Sequence, residues 1–193
     1  SRGLGDVYKR QADALFIDAA TGHTSRVLHV IEKLRELGKP VVAGNVVTQD
    51  GARDLISAGA SAIKVGVGPG SICTTRIISG VGMPQFSAIQ EVATVARPAG
   101  VTVIADGGIR YSGDAVKALA AGADLINVSC GTYETLNTII ETMSFQPGWR
   151  TYLAKAVKDV VNVPVCGVGV IRTPEQAEAL LESGNQDFIG LGR

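Results

Sequence analysis

Apolar and polar positions along the chain fall into a unit that recurs. It consists of a short β-branched run, a glycine-rich turn, an amphipathic stretch of helical period, a glycine and a second apolar run. One copy runs from Val41-Val42-Ala43-Gly44-Asn45 through Ala52-Arg53-Asp54-Leu55-Ile56 to Gly59 and Ala62-Ile63-Lys64-Val65. A second runs from Val103-Ile104-Ala105-Asp106-Gly107-Gly108 through Ala115-Val116-Lys117-Ala118-Leu119 to Gly122 and Leu125-Ile126-Asn127-Val128. A third runs from Val163-Pro164-Val165-Cys166-Gly167 through Ala177-Glu178-Ala179-Leu180-Leu181 to Gly184 and Phe188-Ile189-Gly190. Each copy is a β-α-β unit, and strand runs alternating with helix patterns predict a parallel sheet. Seven strands are expected, near residues 14–18, 41–44, 62–66, 102–105, 125–129, 164–168 and 187–190. Helices are expected near 25–37, 50–58, 85–97, 113–121, 148–160 and 174–183. Gly38, Gly59, Gly122 and Gly184 should end helices in the left-handed conformation, and Thr173-Pro174-Glu175 should start one.

This rhythm predicts an α/β fold of the TIM (β/α)8 barrel kind. A full barrel has eight strands and typically about 250 residues. Seven strands in 193 residues, ending at Gly192-Arg193 just after a strand, predict an incomplete barrel with unpaired edges. An open doubly wound sheet is the alternative. Residues 1–10 are polar and without period and read as a non-native or disordered leader; 11–193 read as a single partial barrel.

Composition narrows the function. Apolar residues make up 46% but aromatics only 5%, so the core must be built from Val, Ile, Leu and Ala, as buried parallel strands favour. Lys plus Arg and Asp plus Glu each number 18, which gives no electrostatic case for nucleic acid or an anionic membrane. Phosphate recognition should then come from local backbone N–H groups. No apolar run of about 18 residues predicts a membrane span, and no basic-then-apolar leader is present. Cys73, Cys130 and Cys166 are odd in number and scattered, which argues against a disulfide framework and for a reducing cytoplasm.

The most informative stretch is Lys64-Val65-Gly66-Val67-Gly68-Pro69-Gly70-Ser71-Ile72-Cys73-Thr74-Thr75-Arg76. It follows a strand, so it belongs to the barrel face that carries active sites. A thiol among hydroxyls in a glycine-laced loop is poorly placed for structural packing and well placed for reactivity if positive potential lowers its pKa. On position alone, a nucleophile and an incidental loop cysteine both remain open. Cys130 and Cys166 adjoin apolar strands and read as inert packing residues. Trp149, with Tyr152 and Leu153, reads as helix packing, and His23 as a loop histidine rather than a base.

Gly68-Pro69-Gly70-Ser71-Ile72-Cys73-Thr74-Thr75-Arg76, followed by Gly80-Val81-Gly82-Met83-Pro84-Gln85, resembles the catalytic loop of IMP dehydrogenases and GMP reductases. Ile17-Asp18, Ala43-Gly44-Asn45-Val46-Val47-Thr48 and Ile104-Ala105-Asp106-Gly107-Gly108-Ile109 are similar to other motifs of that family, and the likeness covers about residues 12–124. It implies NAD-dependent oxidation of IMP to XMP, in purine (GMP) biosynthesis, with Cys73 attacking the purine carbon between two ring nitrogens and a covalent thioimidate then hydrolysed. Thr75 would lie near the attacking water. Ser71 and the Gly107-Gly108 backbone would hold the nucleotide phosphate. Asp106 would accept from both ribose hydroxyls; a capping carboxylate is its plainer reading. Asp18, Asn45 and Gly66 would lie on the cofactor side with Gly68. Carbonyls of Gly68, Gly70 and Cys73 would bind a monovalent cation, potassium. The resemblance also implies a homo-oligomer, a tetramer. GMP reductase, which removes an amino group with NADPH, shares the loop. Two departures stand out: Ala19-Ala20-Thr21-Gly22-His23-Thr24 replaces a family pattern resembling Thr-Ala-His-Gly-His-Ser, and the family's flap with its Arg-Tyr pair has no counterpart.

Beyond about residue 123 the likeness changes. Asn127-Val128-Ser129-Cys130-Gly131-Thr132-Tyr133-Glu134, Gly167-Val168-Gly169-Val170-Ile171-Arg172-Thr173-Pro174 and Phe188-Ile189-Gly190-Leu191-Gly192-Arg193 resemble Old Yellow Enzyme-type, FMN-dependent enoate reductases over 125–193. That implies FMN, its phosphate held by Val168, Gly169, Val170, Gly192 and Arg193. The chain thus reads as chimeric near Gly122-Ala123-Asp124. An FMN-dependent oxidoreductase and an inactive nucleotide-phosphate-binding fragment are the further functional alternatives.

Overall fold

The structure is a computed structural model and describes residues 12–71, 73–129 and 145–190. Seven strands form one sheet: β1 (Leu15–Asp18), β2 (Val41–Val46), β3 (Ala62–Val65), β4 (Thr102–Asp106), β5 (Leu125–Val128), β6 (Val165–Val168) and β7 (Phe188–Gly190). Their spatial order is their chain order, and every neighbouring pair is parallel. A doubly wound sheet reverses direction at a switch point. This one never does, so the architecture is that of an incomplete (β/α)8 barrel. Among the described residues, the helices between strands are α1 (Ser25–Arg35), α2 (Gln49–Ala58), α3 (Thr75–Ser79), α4 (Gln85–Ala96), α5 (Ser112–Ala121), α6 (Thr151–Lys158) and α7 (Pro174–Glu182). No helix among the described residues is long and apolar enough to cross a membrane.

The strands alternate, apart from a register shift in β2 between Gly44 and Val46 that lets Asn45 face inward. Val41, Ala43, Ile63, Val65, Val103 and Ala105 face the helices and join Ile31, Leu55, Ile89 and Val92 in one core. Val42, Ala62 and Ile104 face the barrel interior and pack with Leu125. The period-2 geometry of a strand then dictates that Gly44, Lys64 and Asp106 also point inward, at the strands' C-terminal ends.

The helix signals read from sequence are present. Gly38, Gly59, Gly122 and Gly184 all have positive φ, and Thr173 with Gln176 forms a capping box ahead of Pro174. Three local expectations need correction. The short α3 follows the Cys73 loop, where no helix was expected, because its five residues are too few to show a period. The helix expected from 148 begins at Thr151, after a turn over 147–150. Trp149 lies in that turn, stacked on Phe145 at 4.8 Å with the Arg150 guanidinium 5.1 Å from its ring, while Tyr152 is 62% exposed and packs little.

Candidate active site

The C-terminal ends of β1 to β5 deliver five polar side chains to one mouth. Lys64 Nζ lies 2.9 Å from Asp18 Oδ1 and 2.9 Å from Asp106 Oδ2. Asn45 Nδ2 donates to Asp106 Oδ2 at 2.9 Å and to the Gly66 carbonyl at 2.7 Å. Asn127 Nδ2 donates to Asp106 Oδ1 at 3.1 Å. Burial pushes the Asp106 carboxyl up, but the Lys64 charge and the bonds from Asn45, Lys64 and Asn127 outweigh it and hold the group below its ordinary value. Burial likewise pulls Lys64 down, and Asp106 and Asp18 more than restore it, so the ammonium stays charged. Asp106 is therefore an ionised acceptor fixed in the barrel mouth, not a helix cap.

The cysteine loop rises from β3 beside this network. Gly66 has φ +143°, and a Cβ there would sit 2.2 Å from the Asp106 carbonyl oxygen, so only glycine lets the loop leave β3 against the end of β4. Gln85, the first residue of α4, ties the same ends by donating from Nε2 to the Val65 and Asp106 carbonyls at 2.8 and 3.2 Å. Farther out, Pro69 and Gly70 lie against Gly107 and Gly108, both at positive φ, which joins the cysteine loop to the β4–α5 turn. Ser71 is exposed at the tip. The loop tightens again where the Cys73 amide donates to the Gly70 carbonyl at 3.2 Å.

Cys73 is partly exposed in this loop, outside the apolar interior. Its Sγ lies 3.3 Å from Thr75 Oγ1. The Thr75 side chain first, then the backbone of Thr75 and, more weakly, Gly68 and the charge of Arg76, lower the thiol below its ordinary value of 9.0 against the opposing effect of burial. This is the setting of a reactive thiolate. Cys166 is the opposite case: buried beneath the network, its thiol is pushed up to about 11 by burial first, with Lys64 pulling down and Asp106 pushing up.

Asp18, Asn45, Gly66 and Asp106 thus form one network, and Gly68, Gly70, Ser71, Cys73 and Thr75 form the loop that joins it to Gly107 and Gly108. Val168 ends β6, and Gly169 and Val170 follow it at the same end of the sheet. Gly192, Arg193 and Cys130 lie outside the described residues. His23 Nε2 donates to Asp54 Oδ2 at 2.6 Å, joining the β1–α1 loop to α2. Sequence reasoning missed Lys64, Asn127 and Gln85. The signal for Lys64 was present: in Ala62-Ile63-Lys64-Val65 it alternates with two buried aliphatics, and a charge on a buried strand marks an interior polar site.

The family profile described as "IMP dehydrogenase / GMP reductase domain" matches residues 4–146. The match begins inside the first ten residues and runs past residue 123. The inosine-5'-monophosphate dehydrogenase of Helicobacter pylori is 55% identical over 131 residues, covering 66% of this chain and 27% of that protein. That of Aquifex aeolicus is 56% identical over 127 residues, covering 63% and 26%. Among solved structures, the GMP reductase C318A of Trypanosoma brucei in complex with guanosine 5'-monophosphate superposes with a TM-score of 0.60 at 44% identity, over 61% of this chain and 25% of that one. The chain therefore spans about a quarter of the length of the relatives it matches.

Proposed function

This chain belongs to the IMP dehydrogenase / GMP reductase family, and we propose that it carries the nucleophile and nucleotide-binding face of an NAD-dependent oxidoreductase that converts IMP to XMP. The observation that carries the reading is the activated Cys73 thiol in a loop held against the Asp106 and Gly107-Gly108 end of β4. Cys73 Sγ forms a bond to the purine carbon between the ring nitrogens. That carbon then loses hydride, leaving a thioimidate on Cys73, and water displaces the sulfur to give XMP. NAD, when bound, supplies the hydride acceptor. The exposed Asp18 carboxylate suits its hydroxyl groups, while the buried Asn45 and Gly66 hold the floor between the two ligands. Thr75 stabilises the sulfur anion beside the entering water. Asp106 takes the ribose, and Ser71 with the Gly107 and Gly108 amides takes the phosphate. The Gly68, Gly70 and Cys73 carbonyls, drawn into one loop by the 70–73 turn, suit potassium. A homo-oligomer, tetrameric in this family, is part of the reading.

A second reading concerns FMN. Gly169 and Val170 have φ values of +130° and +40°, and a valine in that region is strained. A turn of this kind suits a phosphate on the amides of Val168, Gly169 and Val170; Gly192 and Arg193, which the resemblance adds to that site, lie outside the described residues.

The test mixes the protein with IMP and NAD and follows NADH absorbance. A burst that Cys73→Ser abolishes, with IMP binding retained, is expected. Ammonia release from GMP with NADPH in place of that burst would select the reductase, and a bound yellow chromophore would select FMN. A folded protein that neither binds IMP nor forms NADH would overturn the dehydrogenase reading.

A further inference from the structure

The ends of β1 and β4 each carry a carboxylate, and one ammonium serves both. A carboxylate presents about four lone-pair directions. Asp106 has three of them in use, two on Oδ2 by Lys64 and Asn45 and one on Oδ1 by Asn127. A ribose that sets both vicinal hydroxyls on this carboxylate needs two, so a resident donor must give way. Asn45 is anchored by its second bond to the Gly66 carbonyl. Asn127 sits on a central strand in register with Asp106. Lys64 is the donor with another place to go: Asp18 is already within bonding distance, its side chain 66% exposed and able to turn. A four-carbon stem with rotatable ammonium donors makes the shift small.

We propose that Lys64 is a positioning residue handed between two carboxylates, so that a ribose diol seated on Asp106 sends the ammonium to Asp18, and a ligand seated on Asp18 returns it to Asp106. The nucleotide and cofactor sites then oppose one another through a single cation, and the coupling is reciprocal. The inference rests on the reading that Asp106 receives the nucleotide ribose.

The test compares IMP with 2′-deoxy-IMP by calorimetry on the full chain, in the wild type and in Asp18→Asn. The deoxy nucleotide has one hydroxyl fewer and fits the lone pair already open, so Lys64 need not move. Asp18→Asn removes the ammonium's second carboxylate. IMP affinity should then fall about five-fold or more, while 2′-deoxy-IMP affinity should change less than about two-fold. In Lys64→Met, Asp18→Asn should no longer discriminate between the two nucleotides. Equal effects on both nucleotides, or none on either, would overturn the proposal while leaving the dehydrogenase reading intact. Failure of the wild type to bind either nucleotide would overturn both.

Discussion

At the residue scale, the site depends on two opposite treatments of cysteine by one fold. Cys73 stands in a polar loop with the Thr75 hydroxyl, two backbone amides and Arg76 favouring its anion; Cys166 lies inside with burial favouring the thiol. Alkylation kinetics separate them. The Cys73 rate should rise through a midpoint below 9.0, and Thr75→Val should move that midpoint upward, because the first-ranking stabiliser of the thiolate is lost. Cys166 should stay unmodified until the chain unfolds. Peptide mapping after iodoacetamide treatment measures both, and a Cys73 midpoint at or above its ordinary value would contradict the activated-thiol account. Much of this was legible in the chain: Cys73 sits in a motif dense enough to carry a resemblance, and its neighbours are adjacent in sequence. Lys64 was legible only as an inward charge on a buried strand; its partners Asp18 and Asp106 were not, because they lie 46 and 42 positions away and meet it only through the sheet register.

At the element scale, the barrel face is set by where strands stop and loops turn. Gly66→Ala should cost about 3 kcal/mol in chemical denaturation, since the new methyl meets the Asp106 carbonyl and the φ of +143° disfavours any side chain. It should also weaken nucleotide binding by displacing the end of β4, and a stable variant with unaltered binding would show that the close approach is dispensable. Thr173→Ala, which touches neither the Asp106 network nor the Cys73 loop, should cost about 1 kcal/mol by removing the α7 cap and leave nucleotide binding unchanged. The strand and helix cores were readable because alternation and helical period extend over enough residues to be seen. The five-residue α3 and the start of α6 were not. One is too short to show a period, and the other follows a turn whose packing comes from Phe145 and Arg150 rather than from any helical pattern.

At the scale of the whole molecule, sequential strand order brings Asp18, Lys64, Asp106 and Cys166 from four strands to one interior, and among the described residues these are the titratable groups that face one another there. Asp106 is lowered from 3.8, so its contribution to stability is complete above that value and is lost as pH falls through the lower folded value. Lys64 is raised from 10.5, so its contribution is complete below that value and is lost as pH rises through the higher folded one. Melting temperature should therefore show no contribution from this pair's titration between those limits. In Lys64→Met the acid decline should become shallower or reverse, because burial of Asp106 is no longer opposed by a neighbouring cation and its folded value rises toward or past 3.8; an acid limb of unchanged depth would show the ion pair to be energetically silent. The parallel, sequential topology was legible from the repeated unit. The polar floor was not, since period alone says which residues face inward but not which of them touch.

The proposed chemistry is the attack of Cys73 on a purine nucleotide whose ribose rests on Asp106. Its most direct measurement is the mass of the Cys73 peptide after the protein has reacted with IMP and NAD and been quenched in acid. The expected product is an added nucleotide lacking one hydride and the thiol proton, carried on Cys73 and reduced when Asp106→Asn weakens binding. An unmodified Cys73 in folded protein that has IMP bound, or the same adduct on Cys166, would contradict it.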